Sequence, residues 1–120
     1  MDKMQALHSF WNGFSLKAYD ENTVPVDAVL PYITYEASSD DFGNRLPQTA
    51  SLWYRGEGWS AITAKEQEIA DFITKGGRMI RYDRGVMWIQ KSTPWSQRME
   101  DPNDDSIRRM ILNVEVEFLD

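Results

Sequence analysis

Leu112-Asn113-Val114-Glu115-Val116-Glu117-Phe118 alternates apolar and polar side chains without a break. Successive residues of a strand point to opposite faces, so this stretch predicts a strand with one buried and one wet face. Upstream, Val86-Met87-Trp88-Ile89-Gln90-Lys91 supplies a partner strand. Between the two lies Ser92-Thr93-Pro94-Trp95-Ser96-Gln97-Arg98-Met99-Glu100-Asp101-Pro102-Asn103-Asp104-Asp105-Ser106, which reads as a long loop. Hairpin loops usually run about two to five residues, so a connection of this length reads as functional or disordered. It carries Trp, Arg and Met, the side chains that anchor protein interfaces, and it has no His and no Cys. Trp95, Arg98 and Met99 are therefore candidate protein-interface residues, and Arg108 and Arg109 just beyond them join the set. Two alternatives stay open. Trp95 could fold back onto its own sheet, and the arginines could pair with Asp104 and Asp105.

Outward from this hairpin, the rest of the chain supplies helices and further strands. Asp2 followed by Gln5 has the pattern of a capping box, and Met4, Leu7, Trp11 and Phe14 then form an apolar stripe that ends near Gly13. Short strands are predicted over residues 15–19, 32–37, 49–54 and 78–82, with a polar turn region at 38–43. Thr63 with Glu66 reads as a second capping box, and Ile69, Phe72 and Ile73 give the helix that follows a core face ending at Gly76-Gly77. Asp83-Arg84-Gly85 reads as a tight hairpin turn with Gly85 in a left-handed conformation. The order is α-β-β-β-α-β-β-β, without the regular alternation of a doubly wound sheet. The expectation is an α+β fold over residues 1–120, a single domain with one mainly antiparallel sheet flanked by two helices.

Composition narrows the function. Nineteen acids against 13 bases give a formal charge of -6, and such a chain repels phosphate backbones. Sequence-specific nucleic-acid binding is not expected. The absence of cysteine removes thiol nucleophiles, zinc ribbons and disulfide frameworks. No apolar run approaches the roughly 20 residues of a membrane span, and the start lacks the pattern of a signal peptide, so no membrane partner is expected.

Catalytic and metal constellations fit poorly. His8 is the single histidine, so triad-type chemistry has one available base and no GxSxG motif to serve. Asp101, Asn103 and Asp105 match the first oxygens of a calcium loop, but Ser106 stands where glycine is needed and Leu112 where the bidentate Glu belongs. Glu115 and Glu117 share one strand face, whereas paired catalytic acids usually face each other across a cleft. No cofactor, metal or enzymatic activity is expected.

Several runs resemble the small tail-completion proteins of long-tailed bacteriophages of Gram-positive hosts. They are Phe10-Trp11, Ala18-Tyr19-Asp20-Glu21-Asn22-Thr23-Val24-Pro25, Leu30-Pro31-Tyr32-Ile33-Thr34-Tyr35-Glu36, Ala50-Ser51-Leu52-Trp53-Tyr54-Arg55, Gly76-Gly77, Ser106-Ile107-Arg108-Arg109 and Asn113-Val114-Glu115-Val116-Glu117-Phe118. Proteins of that kind are also called tail terminator, head-tail joining or minor capsid proteins. The resemblance implies a structural virion protein, made in the bacterial cytoplasm. It implies a ring, commonly a hexamer, that closes the head-proximal end of the tail tube. Its partners would be further copies of itself, the tail tube protein and the head-tail connector protein. The rival readings are a connector-side head completion adaptor, a monomeric module that binds peptides by strand addition, and a hydrolase using acids of the long loop.

Overall fold

The alternating stretch at the end of the chain becomes the middle of a sheet. A computed structural model of the chain describes residues 1–40 and 42–120. Its elements are α1 (Lys3–Trp11), β1 (Lys17–Asp20), β2 (Tyr32–Tyr35), β3 (Arg45–Arg55), α2 (Ser60–Ile73), β4 (Arg78–Tyr82), β5 (Gly85–Glu100) and β6 (Ile107–Leu119). The six strands form one sheet in the order β1-β2-β3-β6-β5-β4. Every neighbouring pair is antiparallel except β1 and β2, which run parallel. The α+β class therefore holds. The polar turn expected over residues 38–43 includes position 41, which lies outside the described residues.

Both helices cover the same face of the sheet. Along β6 the side chains of Met110, Leu112, Val114, Val116 and Phe118 are buried and alternate with half-buried ones. Register carries that face across the sheet. Leu52 lies opposite both Ile33 and Met110, Ala50 opposite Tyr35 and Leu112, and Ile89 opposite Val116. Helix α1 adds Ala6, Leu7, Phe10 and Trp11, and α2 adds Ile62, Ile69 and Ile73. The helices meet at Phe72, whose ring centroid is 6.0 Å from Phe10 and 5.4 Å from Phe14. Lys65 Nζ on α2 donates to the Phe14 carbonyl at 2.7 Å. No layer covers the opposite face of the sheet among the described residues, and the half-buried side chains of β6 point to it.

Local chemistry explains the element boundaries, and several depart from expectation. The first capping box is formed: Asp2 Oδ1 accepts from the Gln5 amide at 2.8 Å, and Gln5 Oε1 accepts from the Asp2 amide at 2.9 Å. The stripe is rotated, however. Met4 is exposed, and Ala6 and Phe10 take its place in the core. The second capping box is not used. Helix α2 starts earlier, with Trp59 at its cap position and the Trp59 carbonyl accepting from the Thr63 amide at 3.0 Å. That puts Thr63 inside the helix, where its side chain cannot cap. Gly85 does not sit in the left-handed region. It is required because a Cβ there would clash with the Leu119 carbonyl of β6. The left-handed glycines are Gly43 and Gly77, at φ of +82° and +85°.

The largest correction concerns the long loop. Strand β5 continues through most of it to Glu100, and β6 begins at Ile107, well before the alternating stretch. The pairing slips between Lys91 opposite Val114 and Ser96 opposite Leu112, then resumes through Glu100 opposite Arg108. Pro94 falls inside this irregularity, where a residue without an amide hydrogen leaves no ladder bond unmade. A proline in an otherwise polar run hides the strand from sequence reading. The true connection is residues 101–106, and two of its acids work as turn caps. Asp101 Oδ1 accepts from the Asn103 amide at 2.9 Å, and Asp104 Oδ1 accepts from the Ser106 amide at 2.9 Å.

Candidate protein-interaction surface

The strand extension turns the expected loop into a two-stranded arm, and strand alternation divides the five candidate residues between its faces. Met99 lies opposite Arg109 and both point to the open face of the sheet. Arg98 lies opposite Met110 and Glu100 opposite Arg108, so both arginines fall on the helix side. Trp95, inside the irregularity, also turns to the helix side: its indole Nε1 donates to Glu66 Oε1 of α2 at 2.5 Å. Trp95 is half-buried and packs against the core cluster. The structure thus engages Trp95 with its own chain, and no single patch contains all five residues.

On the helix side the organising residue is Trp59, which sequence reading overlooked. The guanidinium of Arg98 stands 4.9 Å and that of Arg108 5.5 Å from its ring centre. Each such contact is worth about 0.5–1 kcal/mol at an exposed site. Arg108 donates to the Glu57 carbonyl at 2.6 Å and to the Asp105 carbonyl, so it ties the end of the arm to the segment before α2. The expected pairing of Arg108 and Arg109 with the carboxylates of Asp104 and Asp105 is not formed. Asp104 pairs with Arg55 instead, at 3.3 Å. A recess of about 270 Å³ lies here, lined by Trp59, Glu100, Asp101, Asp105, Ile107 and Arg108.

On the open face, register aligns one residue from each of five strands in a row: Lys17, Tyr32, Trp53, Arg109 and Met99. The row is built as a platform. The Arg109 guanidinium lies 4.6 Å from the Trp53 ring centre, and its Nε donates to Ser51 Oγ at 3.1 Å. Trp53 Nε1 donates to Thr34 Oγ1 at 2.9 Å. Tyr32 stands 6.4 Å from Trp53 and 5.6 Å edge-on to Tyr19. The rings are thus held by named partners while Met99 remains 40% exposed beside them. Tyr19, Tyr32 and Trp53 also escaped sequence reading. Their signal was the phase of the strands, since each is out of step with the core residues beside it. The far half of this face is ionic: Arg45 lies 2.8 Å from Glu117 and 3.6 Å from Glu115.

Three of the acids weighed for chemistry have partners within the fold. Glu115 and Glu117 hold Arg45, and Asp104 holds Arg55 and Ser106. His8 is exposed on α1 with its Nδ1 3.2 Å from the Tyr35 hydroxyl, away from the arm. Burial, with Asp20 adding to it, pushes the Tyr35 hydroxyl above its ordinary pKa of 10.0.

Asp104 is held below its ordinary value of 3.8, first by the Ser106 hydroxyl and then by the Ser106 amide, with Arg55 also helping. A carboxyl whose folded pKa is depressed stabilises the fold above its unfolded pKa, and that contribution fades as pH falls through the folded one. Acid should therefore loosen the 101–106 turn before the sheet melts. The Ser106 amide resonance should shift, and its exchange protection should drop, as pH falls below 3.8, the ordinary value for Asp104. Asp104→Asn should flatten that response. An unchanged acid response in the variant would assign the transition to another group.

Comparison with known protein families, with curated proteins and with solved structures finds no match to this chain. Among the described residues no helix is long and apolar enough to cross a membrane.

Proposed function

We propose that this chain is a structural assembly protein of a bacteriophage tail, forming a ring that closes the head-proximal end of the tail tube and offers a surface to the head connector. The observation that carries the reading is the open sheet face. A rigid sheet presents an ordered aromatic and arginine platform at one end, the composition typical of the centre of protein interfaces. The residue runs that resemble tail-completion proteins support it from the sequence, since Trp53, Tyr32, Tyr19 and Arg109 all lie within them. Function then depends on shape and adhesion, and the acids discussed above serve as struts.

The test is direct. Purified protein is mixed with polymerising tail-tube subunits, and tube ends are inspected by electron microscopy. Capped tubes of stable length are expected. Met99→Asp should fold as the parent does, because Met99 is exposed, yet should lose capping by at least about tenfold in effective concentration, since one central interface residue is commonly worth about 2 kcal/mol. Tubes that elongate unchanged in the presence of the parent protein would end the proposal.

One observation favours a second reading. Among the described residues strand β4 pairs with β5 alone, which leaves its other edge for an added strand. A monomer that binds extended peptides along β4 and ignores tubes would support that module instead.

A further inference from the structure

We propose that copies of this chain join end to end, unlike edge to unlike edge, with Met79 and Arg81 of one copy seated on the groove and Asp27 of the next. This rests on the ring reading above and names the surfaces that would form it.

The two edges of the sheet, β1 and β4, carry opposite charge. Residues 75–84 hold Lys75, Arg78, Arg81 and Arg84 against one acid, Asp83, which already bonds the Met1 ammonium at 2.5 Å. Residues 17–31 hold Asp20, Glu21 and Asp27 against Lys17. Like edges therefore repel and unlike edges attract, even though the chain as a whole carries a formal charge of -6. Contact between unlike surfaces is heterologous, the kind that closes rings when the rotation per copy allows.

Shape agrees with charge. The connection between β1 and β2 forms a groove of about 610 Å³ with walls from Leu16, Tyr19, Pro25, Ala28, Val29 and Leu30 and with Asp27 among its lining. Val29 is 80% exposed there, and Val26 projects fully into solvent. On the other edge Met79 is 57% exposed. Met79 and Arg81 alternate onto the same face of β4, so an apolar side chain and a cation are presented together. The groove offers an apolar wall with Asp27 in its lining, and Lys17 lines it too, so the charge match at this edge rests on Asp27 together with Asp20 and Glu21 of the same segment. Strand addition at β1 is disfavoured, because the outward Ala18 amide is taken by Asn12 Oδ1 at 3.2 Å. The contact is accordingly one of side chains.

The chain has no cysteine, so single-cysteine variants report the contact cleanly. Asp27→Cys and Arg81→Cys should cross-link when mixed under mild oxidation and should not do so separately. Asp27→Arg and Arg81→Glu should each weaken self-association, followed by mass photometry and on tube ends, by at least about tenfold, and the double variant should recover it. Cross-linking on mixing with recovery in the double variant establishes the contact. Oligomers that cap tubes without these cross-links and ignore the charge changes would overturn it and leave the ring reading intact. Cross-linked oligomers that leave tubes uncapped would keep the contact and remove the tail reading. Protein that stays single-copy at every concentration and on tubes would overturn the contact.

Discussion

Phe118→Ala should lower the free energy of unfolding by about 3–5 kcal/mol, the range seen when a buried aromatic ring is cut to a methyl. Phe118 is fully buried at the end of β6, opposite Met87. Its ring meets Tyr82 edge-on at 6.1 Å, and Lys3 Nζ stands 5.2 Å from its centre. The residue therefore joins three elements, β6, β4 and α1, and those elements close over the cavity that truncation leaves. Lys3 also bonds Asp120 at 3.2 Å, so α1 is fixed to the chain end beside the ring and cannot easily collapse inward. Urea unfolding followed by tryptophan fluorescence gives the measurement. Phe118→Leu, which keeps most of the volume, should cost much less. A loss below about 1 kcal/mol for the alanine variant would mean that the end of the helix-covered face is not sealed as described.

The same strand shows how far sequence reading reaches. Alternation along residues 112–118 is a period-2 signal with no competing pattern, and it correctly places Val114, Val116 and Phe118 in the core. The reading failed where period 2 was interrupted. Pro94 and the four-residue irregularity shift the phase of β5, so Ser96-Gln97-Arg98-Met99-Glu100 looks like loop although it pairs residue by residue with β6. A register slip moves every later side chain to the other face, and no local composition records it. For that reason the candidate set does not form one group in the fold. Met99 and Arg109 share one face, while Arg98 and Arg108 share the other around Trp59. The aromatic row was invisible for a related cause. Tyr32 and Trp53 belong to different strands, and only their pairing brings them together. Charge at the sheet edges was equally hidden, because strand order does not follow chain order and β4 and β1 become the edges only through topology.

Gly77→Val should be nearly as damaging as the loss of the Phe118 ring, for the opposite reason. Gly77 holds φ at +85°, a conformation that costs an L side chain about 1–2 kcal/mol. A Cβ there would also stand 2.5 Å from Trp88 Nε1, 2.7 Å from the Ile89 carbonyl oxygen and 2.9 Å from Gln90 Cγ. The carbonyl belongs to β5 backbone and cannot step aside without breaking the β4–β5 ladder, in which Ile89 lies opposite Arg78. Trp88 is pinned as well, since its Nε1 donates to the Gly76 carbonyl at 3.0 Å. Strain and overlap together should cost about 2–5 kcal/mol. Gly76→Ala is the control: Gly76 has no positive φ and its Cβ would meet open space, so stability should change by no more than about 0.5 kcal/mol. The loss should be local before it is global. The Trp88 indole N–H resonance should move in Gly77→Val under conditions where the core resonances of β6 do not. If the two glycine variants prove equally mild, the close approach of β5 to this turn is wrong. Because β4 follows directly from Gly77 and carries Met79 and Arg81, a displaced turn should also weaken end-to-end association in protein that is still folded. That coupling separates the edge contact from the platform on the open face: Met99→Asp leaves β4 in place and should spare self-association while weakening capping by at least about tenfold.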